Sequence, residues 1–135
     1  DGFKVGGLII TPPWARASAG EAKIGAVYFT VVNNSDKLDR LGMVGTNRGG
    51  KVALHNHAMK LGVMKMETAG PVEIRPGSRV EFKPGGLHIM LSGLQSPLRK
   101  GELFKLRLIF ENTGEVSVDV KVMSVGAKSA DEGHN

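Results

Sequence analysis

The sequence predicts an all-β domain, an antiparallel β-sandwich or barrel, and three observations lead to this prediction. Apolar and polar residues alternate over LFKLRLIF and EVSVDVKVM, which is the pattern of half-buried strands. Glycine- and proline-rich turn signals, such as Pro76-Gly77 and Pro84-Gly85-Gly86, separate short segments of this kind. No segment has a convincing helical period, because the best candidate, residues 18–23, is too short.

The expected strands follow one another along the whole chain. They cover residues 8–10, 15–17, 25–33, 38–45, 51–55, 72–74, 79–82, 87–91, 104–110 and 116–122. Asn112-Thr113-Gly114 is a hairpin connection between the last two of these strands. Neither an internal repeat nor a linker divides the chain, so we expect a single β-domain over residues 1–126 and a mobile tail over 127–135.

Composition excludes several classes of function. The formal net charge of the 135 residues is +5, but the basic residues are scattered and aromatic residues make up only 5% of the chain, which argues against nucleic-acid binding. The absence of cysteine excludes disulfides, thiolate nucleophiles and the usual structural zinc sites. No apolar run is long enough to span a bilayer. No nucleophile or acid–base pair stands out, so we do not expect an enzyme.

Histidine and methionine are concentrated in one part of the chain. Of four histidines and six methionines, seven residues lie between His55 and Met90. Two His-x-Met pairs occur, at His57-x-Met59 and His88-x-Met90, where random placement in this composition predicts about 0.2. A single histidine or methionine of this kind is more often a packing residue, so the interpretation depends on the cluster.

Strand alternation predicts which of these side chains lie together. In LHIML, Leu87, Ile89 and Leu91 share one face, so His88 and Met90 share the other. If the aliphatic residues face the core, the His/Met pair faces outward. The same alternation turns His55 away from the core, and the methionine-rich segment 60–70, expected to be a loop, would lie near both strands.

A metal bound by this cluster is predicted to be Cu(I). Thioether sulfur is soft and neutral, which disfavours zinc, calcium and magnesium. A blue-copper centre needs a cysteine thiolate, which the chain lacks. A haem with His/Met ligands would need a helical pocket or an attachment motif, and neither is present.

The spacing of four of these residues resembles a known family. His55, Met66, His88 and Met90 match the H-x10-M-x21-H-x-M signature of the periplasmic PCu(A)C copper chaperones. Blocks that resemble the same family extend over most of the chain: PWARA, GAVYFTVVN, GVMKM and PGGLHIMLSGL. Two features depart from it: His57 and Met59 are rival ligands beside His55, and the tail has only His134, which makes a second copper site doubtful.

The resemblance implies a cupredoxin-like β-sandwich or barrel of Greek-key type in which His55, Met66, His88 and Met90 bind Cu(I). It also implies a carrier that delivers Cu(I) to the dinuclear copper centre of cytochrome c oxidase. The expected partners are the copper-accepting oxidase domain or another assembly factor, without nucleic acid or membrane insertion, and we expect a monomer. A periplasmic or otherwise extracytoplasmic location is expected from the resemblance. The chain begins at Asp1 without an initiator methionine, which fits either removal of a targeting segment or a trimmed sequence.

Two alternatives remain open at the level of the sequence. The same ligands would suit a periplasmic copper buffer that protects against excess copper and has no dedicated recipient. The domain could also be a structural β-sandwich with an incidental His/Met cluster. Titration with Cu(I) separates a carrier from a structural domain, and transfer to an oxidase copper domain separates a carrier from a buffer.

Overall fold

The computed structural model describes residues 2–130, with the backbone but not the side chains of residues 58–60 and 67–68. Within this range the chain forms strands and no helix, which confirms the predicted all-β class. The strands are β1 (Phe3–Val5), β2 (Leu8–Ile10), β3 (Trp14–Arg16), β4 (Gly25–Asn33), β5 (Asp39–Thr46), β6 (Lys51–Lys60), β7 (Val63–Thr68), β8 (Val72–Ile74), β9 (Arg79–Phe82), β10 (His88–Ser92), β11 (Leu103–Phe110) and β12 (Gly114–Met123). No helix in residues 2–130 could cross a lipid bilayer.

Strand β4 organises the sheet because it pairs differently along its length. Its first half pairs with β10 and β3, and its second half pairs with β2 and β9. The main path runs β7-β6-β10-β4-β3-β12-β11-β5-β8, and β5 also lies against β6, so the sheet curls around one core. The pairs are antiparallel except for β3 and β12, which are parallel. This parallel pair is the one departure from the predicted antiparallel arrangement.

The alternation that predicted β11 and β12 also defines their buried faces. Phe104, Leu106, Leu108 and Phe110 of β11 are each at most 3% exposed, as are Val118, Val120 and Val122 of β12. Ile89 and Leu91 of β10 belong to the same cluster and are fully buried. A smaller cluster contains Trp14, Tyr28, Met123 and Ala127, with the two aromatic rings 4.8 Å apart.

Most predicted strands are confirmed to within a residue or two, but three expectations were wrong. Strand β1 was not predicted. Strand β6 does not end at residue 55 but continues to Lys60, and the segment expected to be a loop contains β7. The β6–β7 hairpin closes on the two-residue turn Leu61-Gly62, with φ of 51° and 78°. Such turns need positive φ and normally have Asn or Gly at their first position. Because leucine stands there, the sequence did not predict the hairpin.

Part of the expected tail is ordered against the domain. The backbone carbonyl of Ala127 accepts a hydrogen bond from Nε of Arg16 at 2.7 Å, and Ala127 is fully buried. Ala130 packs against the smaller apolar cluster. Residues 131–135, including His134, lie outside the described residues. The division into a domain and a tail stays a prediction.

Candidate metal centre

The pairing of β10 with β6 brings the two histidines of the signature together. His88 lies directly opposite His55, and Met90 lies opposite Ala53. Directly opposed residues of antiparallel strands project from the same face, so these four side chains share one face of the sheet. The two imidazole centroids are 5.8 Å apart. Because Ala53 has only a methyl group, the space beside the partly exposed Met90 is not filled from β6.

Strand β7 adds a thioether to this face. Its register places Met66 opposite His57 and diagonal to His55, with 3.2 Å between Nδ1 of His55 and Sδ of Met66. Two donors to one tetrahedral ion, with a metal–nitrogen distance of about 2.0 Å and a metal–sulfur distance of about 2.3 Å, lie roughly 3.5 Å apart. The pair is therefore close to the separation that a shared ion requires.

His88 is held in one orientation by the turn before β10. Its Nδ1 lies 2.9 Å from the carbonyl oxygen of Gly86. A carbonyl only accepts, so Nδ1 carries the proton and Nε2 keeps its lone pair. The turn itself is fixed by the amide of Gly86, which donates to the carbonyl of Lys83, and by a positive φ at Gly85. Proteins usually orient a metal-binding histidine in this way, through a hydrogen bond from the ring nitrogen that does not bind the metal.

The other nitrogen of His88 has no partner. His88 is 3% exposed, and its Nε2 is buried without a hydrogen bond, alone in this respect among the side chains that the structure describes. Burial lowers the pKa of His88, the Gly86 hydrogen bond opposes this shift, and the neighbouring His57 and His55 lower the pKa further. The imidazole is thus kept neutral with a free lone pair, which is the form that ligates metals.

The expectation that the His/Met pair faces outward is only partly correct. His88 and Met90 do project from the face opposite Ile89, but His88 is nearly as buried as the core itself. The rings of His55 and His57 lie beside it, at centroid distances of 5.8 and 5.4 Å. Sequence alternation predicts the direction of a side chain, whereas its burial depends on these neighbours in the fold.

The structure brings His55, Met66 and His88 together, and Met90 extends the group along β10. Within the described side chains, no three His, Asp or Glu residues form a metal-binding group, so a four-ligand site here would include thioethers. Two neutral imidazoles and two neutral thioethers form a donor set that suits Cu(I). His57 also lies at this group, and its position was visible in the sequence only as a second histidine two residues after His55.

Comparisons with known proteins identify the family of this chain. Residues 8–122 match the model of the LpqE-like family, described as "Putative lipoprotein LpqE-like". The uncharacterised protein RP573 of Rickettsia prowazekii is 32% identical over 114 residues, which cover 82% of this chain and 63% of that protein. The chain therefore spans less than two thirds of this relative.

Solved structures provide the fold comparison. The apo PCuAC domain of PmoF2 is 30% identical, with a TM-score of 0.79 over 96% of this chain and 100% of that domain. The copper-bound PCuAC domain of PmoF2 is 29% identical, with a TM-score of 0.78 over 92% of this chain and 98% of that domain. The match to PCuAC domains confirms the predicted cupredoxin-like fold. From the extent of the family match and the likeness of the structures, the chain is a member of the LpqE-like family, of the PCuAC type.

Proposed function

We propose that this protein is a copper chaperone that binds one Cu(I) through His55, Met66, His88 and Met90. The observation that carries the proposal is the buried Nε2 of His88, which lacks a hydrogen bond. The His88 ring neighbours that of His55, and Nδ1 of His55 lies 3.2 Å from Sδ of Met66. An unsatisfied buried nitrogen lowers the stability of a fold, so its presence calls for an explanation other than folding. Coordination of a soft cation is the use that this donor set favours. The copper-bound PCuAC domain of PmoF2 supports the same assignment.

The ligand set also suits release of the ion. All four proposed donors are neutral and two are thioethers, so an acceptor with thiolate ligands competes effectively for Cu(I). Met66 is 47% exposed, which leaves one proposed ligand accessible to an incoming protein. We propose the dinuclear copper centre of cytochrome c oxidase as the acceptor and the periplasm, or another extracytoplasmic space, as the location. The lipoprotein description of the family supports an extracytoplasmic site of action.

Anaerobic competition titration with a colorimetric Cu(I) chelator tests the binding site. We expect one Cu(I) per chain, with affinity lowered at least about tenfold by His55→Leu, Met66→Leu, His88→Leu or Met90→Leu. The matched control is Met64→Leu, since Met64 is a similarly exposed methionine on the same strand as Met66. Loss of binding in Met64→Leu but not in Met66→Leu would show that the proposed ligand set is wrong.

Transfer separates a chaperone from a copper buffer. The Cu(I)-loaded protein is mixed with an apo oxidase copper domain, and the copper in each protein is measured after chromatographic separation. A chaperone transfers its copper faster than the ion dissociates into solution, because the two proteins form a complex before the ion leaves. Transfer at the rate of simple dissociation would instead indicate a buffer.

A further inference from the structure

We propose that His57 is an exchange ligand, which replaces His55 as Cu(I) moves from the buried His88 toward the exposed methionines of the β6–β7 hairpin. The inference rests on the proposed Cu(I) site and adds a route by which the ion leaves it. His57 lies outside the four-residue signature.

The position of His57 relative to His88 is the first reason. The ring centroid of His57 lies 5.4 Å from that of His88, and the His55 centroid lies 5.8 Å away. His55 and His57 are two residues apart on β6, so both project from the same face. The imidazole of His88 therefore has two imidazole neighbours at similar distances, although the proposed resident site uses only one of them.

Met66 connects the two arrangements. Its Sδ lies 3.2 Å from Nδ1 of His55, and its backbone position is directly opposite His57. Directly opposed residues in an antiparallel pair have Cβ atoms about 4.5–5.5 Å apart. The same thioether can therefore remain bound while one histidine replaces the other.

Exposure increases along this route. His88 is 3% exposed, Met66 is 47% exposed and Met64, two residues nearer the hairpin turn on the same face, is 55% exposed. Residues 51–66 carry three lysines and no acidic residue, so no carboxylate of this segment competes for the ion. Neutral nitrogen and sulfur donors thus lead from the buried imidazole to the exposed end of the hairpin.

The exchange step is balanced without an additional reactant. A bond between Cu(I) and an imidazole nitrogen of His57 forms, and the bond to His55 breaks. Both ligands are neutral, the copper stays Cu(I), and no electron is transferred. The barrier is lower than that of direct dissociation because the number of donors around the ion does not fall.

Stopped-flow transfer of Cu(I) from the loaded protein to excess chelator tests the proposal. We expect His57→Leu to slow transfer at least about tenfold while the equilibrium affinity changes less than about threefold. Asn56→Leu is the matched control, because Asn56 is an exposed neighbour on the opposite face of β6, and its transfer rate should equal that of the wild type. His57→Gln provides a polar variant that gives the same result if the imidazole is the group that matters.

Two results would overturn the proposal. An unchanged transfer rate in both His57 variants would show that this histidine is not on the route. A loss of affinity as large as that of His55→Leu would show that His57 is a resident ligand instead. Failure of the underlying copper site is distinguishable from both, because the wild-type protein would then not bind Cu(I) in the titration that precedes the kinetics.

Discussion

Asp39 and His88 are both buried polar residues, but their surroundings differ completely. Asp39 is 4% exposed, and its carboxylate accepts hydrogen bonds from the amides of Arg40, Asn112 and Thr113 and from the Thr113 hydroxyl at 2.5 Å. His88 is 3% exposed, and one of its two ring nitrogens has no partner. Asp39 connects the β11–β12 turn to the start of β5, whereas the single hydrogen bond from Nδ1 of His88 leaves the lone pair of its Nε2 without a partner.

The difference distinguishes a polar residue that is buried to stabilise the fold from one that is buried for a function. Asn33 follows the pattern of Asp39, since its Nδ2 donates to the carbonyls of Lys37 and Ile74 and its Oδ1 accepts from Ser35. A fold tolerates a buried polar group when its hydrogen bonds are made, and each unmade bond costs about 1–3 kcal/mol. His88 departs from this rule at the place where the proposed copper ligands meet.

Of the two buried polar residues, Asp39 should contribute more to stability. Asp39→Ala leaves three backbone amides and one hydroxyl without their acceptor, and we expect the free energy of unfolding to fall by about 2–4 kcal/mol in urea titrations. Asp119→Ala is the control, because that exposed carboxylate forms a surface ion pair with Lys105 at 2.6 Å and should contribute at most about 1 kcal/mol. Equal losses in the free energy of unfolding of the two variants would contradict the structural role given to Asp39.

Substitution of His88 should have the opposite result, with little change in stability and a large loss of Cu(I) affinity. His88→Leu removes an unsatisfied nitrogen from a buried position, so the free energy of unfolding of the apo protein should change by less than about 1 kcal/mol or increase. Cu(I) affinity should fall by about a hundredfold or more. Chemical denaturation and chelator competition on the same preparation measure the two effects. A stability loss as large as that of Asp39→Ala, with copper affinity retained, would make His88 a structural residue.

The two residues should also respond to pH in different windows. Burial lowers the pKa of His88, so the unfolded chain binds more protons at this residue once the pH falls below about 6.5. The stability of the apo protein should therefore decrease from pH 6.5 down to the lower pKa of the folded state. His88→Leu should abolish this part of the pH dependence.

Asp39 titrates in a more acidic window. Burial alone would raise the pKa of Asp39, but the hydrogen bonds from Thr113, Asn112 and Arg40 outweigh it and hold the pKa below its usual value. Its stabilising contribution is complete above about pH 3.9 and is lost as the pH falls through the lower pKa of the folded state. If the free energy of unfolding of the His88→Leu variant still declined between pH 6.5 and 5, His88 and Asp39 would not titrate in separate pH ranges.

Met90→Leu should have only a small effect on folding. The substitution keeps the volume and apolar character of a partly exposed side chain, so the loss should stay below about 1.5 kcal/mol. Ile89→Ala, one residue away on the core face, should cost roughly 2–5 kcal/mol and leave copper binding intact. Unfolding titrations and copper retention of both variants give the comparison. Unfolding by Met90→Leu with copper still bound would assign His88-x-Met90 to the core.

Local patterns were sufficient to predict much of this fold. The alternation in residues 103–110 and 114–123 predicted β11, β12 and their buried faces, because the strand period of two is visible as a pattern of adjacent apolar and polar residues. The parallel pairing of β3 with β12 was not predictable in this way, since the two segments are far apart in the chain. Strand β7 was missed because the first residue of the Leu61-Gly62 turn is leucine instead of the usual Asn or Gly.

The candidate site shows the same division. Strand alternation indicated that His88 and Met90 share a face, and the resemblance to a family supplied Met66. Physical reasoning from the sequence could not choose Met66 over Met64, because that choice depends on the pairing of β7 with β6. The missing hydrogen bond of His88 Nε2 has no sequence signal at all, since it depends on how side chains of different strands pack around His88.

X-ray absorption at the copper edge tests the central claim most directly. The Cu(I)-loaded wild-type protein should show both nitrogen and sulfur in the first coordination shell. The sulfur amplitude should fall by roughly half in Met66→Leu and in Met90→Leu, and should stay unchanged in Met64→Leu. A first shell of nitrogen and oxygen alone, or a sulfur amplitude that depends on Met64 and not on Met66, would contradict the assignment of His55, Met66, His88 and Met90 as the Cu(I) ligands.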